Sequence, residues 1–288
     1  MSTSTSTSTS ITSDSSVNML NSKDLSVIIL AAGEGKRMNS DIPKVNHLFR
    51  GKPIIVRIIL EVMKLYPKQI IIVTGKYNLI IQSTISDYFT KNNIAFSFNK
   101  LIFIQQLEPN GTGGAIKSVL NYKSDDFQKL EENVLILNGD MPLVKSDMLY
   151  SFLKETLLSQ EKIEASLLVS KIDNPFGYGR ILYDIYNNFI GIQEEKDCNE
   201  EQKKINTVNV GVYFFSYRIL QKYISLIKNN NSQKEFYLPD IFKIIKLYGN
   251  DMIRIKTHKI EDEYRYQIYG VNTQSELQSL EKLVYVMM

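Results

Sequence analysis

A mostly parallel, doubly wound α/β sheet is the fold class predicted for this chain, and three observations predict it. Short apolar runs alternate with helix-period segments from Leu25 to Asp140. The runs are nearly continuous aliphatic stretches, as strands buried on both faces are. Several end in glycine, glutamine or aspartate, at the strand ends where open α/β sheets bind ligands.

Each element follows in turn. Residues 27–32, VIILAA, form the first strand. The spacing predicts a helix over 53–66, with Pro53 near its start. A second strand spans 69–75, ending in Gly75, and a helix follows over 77–89. Residues 101–106 form a third strand, 111–120 a helix, and 133–140 a fourth strand ending in Asp140. The second half brings short strands at 165–172, 178–184, 189–195 and 207–215, with few helical spacers. Such a run favours antiparallel pairing, so a mixed sheet with a smaller antiparallel lobe is expected. Helices at 217–228 and 238–248, a strand at 251–258 and a last helix at 273–286 complete the chain.

Composition narrows the function. The chain has 288 residues, 43% of them hydrophobic, enough for one large core with a small subdomain. A net charge of +3, with lysines and acids scattered, gives no nucleic-acid footprint. The one cysteine, Cys198, excludes an internal disulfide and a multi-cysteine zinc site. It lies in the charged run EEKDCNEEQKK, which reads as an exposed loop, and nothing local supports it as a nucleophile. His47 and His258 are too few for a histidine-rich metal centre, and His47 reads as structural.

Residues 1–24 are rich in serine and threonine and poor in apolar side chains. They read as a disordered tail, with neither the basic start and apolar centre of a secretory signal nor arginine. No window approaches a membrane span, so a cytoplasmic protein is expected.

The loop after the first strand carries the strongest chemical signal. Small residues there let backbone approach a ligand and turn amides toward phosphate, while Arg37 and Lys44 add two positive charges. It is not a P-loop, because Gly35-Lys36 is followed by Arg37 and no glycine stands five residues before Gly35. It is not the dinucleotide fingerprint either, because Met38 occupies the third glycine position. Read alone, it is equally a tight turn with solvated basic side chains. At the third strand end, Gln106 offers a donor and an acceptor to a base edge, and Gly111-Thr112-Gly113 opens a helix. Asp140, in Asn138-Gly139-Asp140-Met141-Pro142, is either an oxygen ligand for Mg²⁺ or a turn residue.

The series as a whole resembles a known family. Leu30-Ala31-Ala32-Gly33, then Gly35, Arg37 and Met38, then Ser40-x-x-Pro43-Lys44-Val45 and Gly51-Lys52-Pro53, resembles the sugar-nucleotide pyrophosphorylases. The resemblance is greatest to the uridylyltransferase half of the bacterial bifunctional uridylyltransferase/acetyltransferase, and it runs from about Leu25 to the C-terminus in order. It implies a Rossmann-like, mostly parallel sheet of the nucleotide-diphospho-sugar transferase type, with an antiparallel sugar-facing lobe, over 25–288. The acetyltransferase half's hexapeptide repeat is absent from this sequence.

The implied activity joins UTP and N-acetylglucosamine 1-phosphate into UDP-N-acetylglucosamine and pyrophosphate, with Mg²⁺ as cofactor and no nucleic-acid or membrane partner. Oligomeric state does not carry over, because the family's trimer contacts come mostly from the missing half. By resemblance Leu30, Ala31, Ala32, Gly33, Gln106, Gly111 and Thr112 contact the nucleotide. Gly179, Glu194, Asn209 and Tyr237 shape the sugar site, and Asp140 with Asn272 holds the metal. The attacking phosphate is already anionic, so the chemistry needs positioning and charge neutralisation rather than a strong base. Arg37 is assigned to the leaving pyrophosphate and Lys44 to the phosphates of both substrates.

Four positions depart from the family pattern. Lys36, Val210 and Pro239 replace threonines, and Asn138 replaces a tyrosine. They leave two alternatives open: another sugar 1-phosphate or nucleotide, or a silent regulatory subunit on the same fold.

Overall fold

The computed structural model describes residues 24–94, 101–125, 127, 129–250 and 252–287. Residues 1–23 of the expected tail lie outside the described residues.

The chain opens with β1 (Leu25–Ala31), followed by 3-10 turns at Lys36–Met38 and Lys44–Asn46. A two-stranded ribbon, β2 (Leu48–Phe49) and β3 (Lys52–Pro53), leads into α1 (Ile54–Met63), with Pro53 as N-cap. Then come β4 (Gln69–Thr74), α2 (Asn78–Lys91), β5 (Leu101–Gln105), α3 (Thr112–Asn121) and β6 (Asn133–Asn138). Next is α4 (Ser146–Leu157), a helix the sequence reading did not pick out. Its buried Met148, Leu149, Phe152 and Leu153 recur at helical spacing, but the helix starts only six residues after Asp140, in a stretch read for its carboxylate.

The second half contains β7 (Ile163–Lys171), β8 (Arg180–Tyr183), β9 (Phe189–Gln193), α5 (Glu200–Lys203) and β10 (Thr207–Ser216). It ends with α6 (Tyr217–Tyr223), α7 (Asp240–Tyr248), β11 (Arg254–Lys259) and α8 (Gln274–Met287). The helix expected to run to residue 228 stops at Tyr223 and tightens into a 3-10 turn, Ile224–Leu226.

The main sheet has the order β11-β7-β10-β6-β1-β4-β5. Its centre is parallel, β6-β1-β4-β5, and β10 is inserted antiparallel between β6 and β7. β11 pairs parallel with β7. β7 and β10 therefore belong to the main sheet, and only the β8–β9 hairpin extends from it, through the pair Val208 and Arg180.

Alternation along the strands builds two cores. Val27, Ile29 and Ala31 of β1 join one core with α1, α2, α4 and α8, while Ile28 joins the other with α3, α6 and α7. β6 divides the same way, Leu135 and Leu137 against Val134 and Ile136. Burial on both faces forces this aliphatic pattern and leaves the strand ends as the place for polar chemistry.

Candidate active site

β1, β4, β5 and β6 end on one side of the sheet, and a cavity of about 530 Å³ opens there. Leu30, Ala31, Ala32 and Gly33 line one wall, and Gln106, Gly111 and Thr112 line another. Arg37, Lys44, Asp140 and Asn272 complete the lining, so these three groups of expected residues share one space.

Lys44 lines the cavity between Asp140 and Asn272. Its Nζ lies 2.5 Å from Asp140 Oδ2 and 3.1 Å from Asn272 Oδ1. A carboxylate and an amide oxygen thus converge on one cation. The turn holding Lys44 depends on Gly35, whose φ is +64° and which packs so closely that an added Cβ would stand 2.7 Å from Lys44 Cβ. Gly33 has open space at the same place, so of the two glycines it is Gly35 that the geometry requires. Asp140 is held from behind by backbone: Gly139 N donates to Leu30 O at 2.8 Å, and Val271 N to Asp140 O at 2.9 Å. The second contact brings the chain before α8, and so Asn272, to the end of β6.

Arg37 is exposed at the cavity lining and has no ion-pair partner among the described residues. Lys36 turns to Glu34, 3.0 Å away, so its charge is shared with a carboxylate rather than free beside the cavity. Lys76, from the loop after β4, reaches the other oxygen of Glu34 at 3.2 Å. These two lysines, Lys36 first, hold the half-buried Glu34 carboxyl below its ordinary range.

Gln106 is buried, and its Nε2 donates to Asn110 Oδ1 at 2.9 Å and Gly111 O at 3.1 Å. Those bonds fix the amide plane and commit its nitrogen to the loop, leaving the oxygen as its group for a ligand. Gly111 has φ +99°, and an added Cβ would stand 2.6 Å from Phe236 O. This close approach laces the start of α3 to the segment 235–238 ahead of α7. Gly113 N donates to Phe236 O at 2.7 Å, Phe236 N to Asn110 O at 2.8 Å, and Leu238 N to Thr112 Oγ1 at 3.0 Å.

The expected sugar residues lie outside that lining and form an adjacent cluster. Asn209 N donates to Gly179 O at 2.8 Å, and Asn209 Nδ2 to the Tyr213 hydroxyl at 2.7 Å. Glu194 packs so closely on Gly179 that an added Cβ there would stand 3.1 Å from its Oε1. Tyr237 is buried, and its hydroxyl accepts from Gln233 Nε2 at 2.8 Å. Burial, with Asp240 and Asp197 nearby, pushes the Glu194 carboxyl up to about 7. Two links join this cluster to the cavity. Tyr237 lies on the segment bound to α3, and Gly211, at φ +81°, would place a Cβ 2.2 Å from Nδ2 of the cavity-lining Asn138. Tyr213, Asp197, Asp240 and Lys76 escaped the sequence reading; the signal for Lys76 was its place directly after a strand-ending glycine.

Cys198 corrects an expectation. It is buried, and its Sγ donates to Glu194 O at 3.3 Å. Burial pushes the thiol up, away from a reactive thiolate. The charged run around it hid this, because Glu195 folds back to pair with Arg180 at 2.6 Å. Among the described residues no helix is long and apolar enough to cross a membrane, and no cluster of three or more His, Cys, Asp or Glu could hold a metal.

The comparisons agree with this architecture. Residues 26–261 match the nucleotidyl transferase family. The chain is 37% identical over 268 residues to a probable UDP-N-acetylglucosamine pyrophosphorylase of Acanthamoeba polyphaga mimivirus, covering 91% of this chain and 97% of that protein. It is 37% identical over 260 residues to the bifunctional protein GlmU of Francisella tularensis subsp. novicida (strain U112), covering 90% of this chain and 51% of that protein. The chain therefore spans about half the length of GlmU. A UDP-glucose pyrophosphorylase solved with UDP-glucose superposes with TM-score 0.65 at 17% identity, over 91% of this chain and 99% of that one. HddC from Yersinia pseudotuberculosis superposes with TM-score 0.59 at 22% identity, over 90% and 99%. These two likenesses are of fold. With its mixed, mostly parallel sheet and its matched span, the chain belongs to the nucleotidyl transferase family.

Proposed function

We propose that residues 25–288 transfer a uridylyl group from UTP to N-acetylglucosamine 1-phosphate, releasing pyrophosphate. The observation that carries this reading is the single cavity in which the Lys44 ammonium meets Asp140 and Asn272 beside the Gln106 and Gly111 loop. Support for the sugar and nucleotide comes from the 37% identity to the mimivirus protein over nearly its whole length.

In this reading a phosphate oxygen of the sugar phosphate forms a bond to the α-phosphorus of UTP. The bond from that phosphorus to the bridging oxygen of pyrophosphate breaks, and the electron pair leaves with pyrophosphate. The nucleophile is already anionic, so no residue needs to take a proton. The difficulty is bringing two anions together, which Lys44 and Arg37 ease by neutralising charge. Lys44 holds phosphate oxygens of both substrates, and Arg37 follows the charge that develops on pyrophosphate. The Gln106 amide oxygen accepts from the uracil ring N–H, and backbone at the start of α3 holds the base. Glu194, Asn209 and Tyr237 bind the sugar hydroxyls and acetamido group.

Asp140 and Asn272 fit a divalent cation: both supply hard oxygens, and the Lys44 ammonium shows that those oxygens converge on a point where a cation is held. Asp140 and Asn272 would hold Mg²⁺, which when bound would supply stabilisation of phosphate charge. Nucleotide triphosphate and sugar phosphate substrates fit a cytoplasmic site of action.

The test is incubation of the full chain with UTP, N-acetylglucosamine 1-phosphate and Mg²⁺, with chromatography for the nucleotide sugar. The reading expects UDP-N-acetylglucosamine and an equal amount of pyrophosphate. Folded protein that yields neither contradicts it.

A further inference from the structure

Glu34 places a carboxylate in the lining of a cavity assigned above to a polyphosphate. A negative charge there opposes the ligand unless it is neutralised, and each of its oxygens holds one lysine. Lys36 Nζ is 3.0 Å from Oε2, and Lys76 Nζ is 3.2 Å from Oε1. The two lysines come from loops at the ends of adjacent strands, β1 and β4. Those ends touch: an added Cβ on Gly75 would stand 2.6 Å from Ala32 O. The three side chains therefore form one ionic group at the cavity wall.

Its strength is low. Lys36 is 85% exposed and Lys76 55% exposed, so both ammonium groups already face water. Ion pairs of this kind hold little free energy and exchange partners readily. A triphosphate brings more charge and more acceptor oxygens than one carboxylate, and charge-assisted bonds to it are the stronger ones. A monophosphate brings much less.

We propose that Glu34 is a displaceable internal competitor for Lys36 and Lys76, and that both lysines transfer to the phosphate chain only when a ligand carries enough charge to replace the carboxylate. The group then acts as a specificity device. It favours nucleoside triphosphate over diphosphate and monophosphate, because a ligand with less charge does not draw the lysines away from the carboxylate. This rests on the nucleotidyl-transfer reading above.

The experiment is calorimetric titration of the full chain with UTP, UDP and UMP, at two ionic strengths. Wild type is compared with Glu34→Gln, Lys36→Ala, Lys76→Ala and Lys76→Arg, with Lys222→Ala on α6 as the charge control. Lys76→Ala should weaken UTP about tenfold and UMP less than about twofold, as loss of one charge-assisted phosphate contact does. Lys36→Ala should act in the same direction. Lys76→Arg should recover most of the affinity, and Lys222→Ala should match wild type. Glu34→Gln should tighten UMP and UDP more than UTP, narrowing the preference. Lys36→Ala and Lys76→Ala should also show a shallower salt dependence for UTP, and Lys222→Ala should not. Wild-type binding of UTP with unchanged affinities in the lysine variants overturns this proposal alone. Weaker UTP binding by Glu34→Gln also overturns it. Failure of folded wild type to bind UTP overturns the nucleotide reading and this inference together.

Discussion

The Lys44 ammonium lies 2.5 Å from the Asp140 carboxylate, bringing together two residues 96 positions apart in sequence. The same ammonium reaches Asn272 at 3.1 Å. An internal cation therefore sits on the two oxygens best suited to a divalent one. Lys44→Ala should lower turnover by about two orders of magnitude or more, as loss of a transition-state charge partner does in other enzymes. It should also raise the affinity for Mn²⁺ without nucleotide, because the competing ammonium is gone. Steady-state rates and Mn²⁺ titration followed by electron paramagnetic resonance check both. A folded variant with unchanged turnover contradicts the assignment.

Arg37 is exposed, so its removal should leave the fold intact while chemistry suffers. Arg37→Ala should lower turnover by about two or more orders of magnitude with little change in melting temperature. Calorimetry and pyrophosphate release on the same preparation separate the two effects.

Gly35 tests whether the turn places Lys44. Alanine there must adopt φ +64°, which costs about 1–2 kcal/mol, and its Cβ meets Lys44 Cβ at 2.7 Å. Gly35→Ala should lose activity far beyond its small loss of stability. Gly33→Ala, with open space at that position, should be tolerated better by the fold.

Glu194 and His258 give opposite pH dependences. Burial pushes Glu194 up to about 7, above its unfolded value, so its contribution to stability is full below about 4.5 and is lost as pH rises through about 7. Glu194→Gln should therefore raise the melting temperature relative to wild type more at pH 8 than at pH 6. His258 is buried between Glu155, 2.8 Å from Nδ1, and Thr156, 3.2 Å from Nε2. Burial outweighs the Glu155 contact and lowers its affinity for a proton. Its contribution is present above about 6.5 and lost as pH falls through the lower folded value. His258→Gln should reduce the loss of stability between pH 7 and pH 5, measured by thermal melts.

The parallel βα half around β1 followed from the sequence because burial on both faces forces aliphatic runs, and βα alternation favours parallel pairing. The place of β10 did not. Its antiparallel insertion between β6 and β7 depends on long-range pairing, which a local reading of Thr207–Ser216 cannot register. Helix α4 was present in the spacing of Met148, Leu149, Phe152 and Leu153 but was obscured by the short proline-containing stretch, 141–145, that separates it from Asp140. Cys198 was misread because the charges beside it pair inward, leaving its thiol buried.

In the candidate site, glycine and acidic strand ends identified the cavity wall. They did not show that Gly35 serves Lys44, or that Glu34 gathers Lys36 and Lys76. The first is a close approach within the one connection after β1, and the second also needs Lys76 from the loop after β4, contacts made only when the chain folds.

The most direct test of the account is pyrophosphate release from the full chain with UTP and Mg²⁺, comparing N-acetylglucosamine 1-phosphate, N-acetylgalactosamine 1-phosphate and glucose 1-phosphate. Release is expected with all components present, fastest with N-acetylglucosamine 1-phosphate. Faster release with either of the other sugars contradicts the assignment of the sugar cluster, and folded protein that releases none with any of them contradicts the central claim.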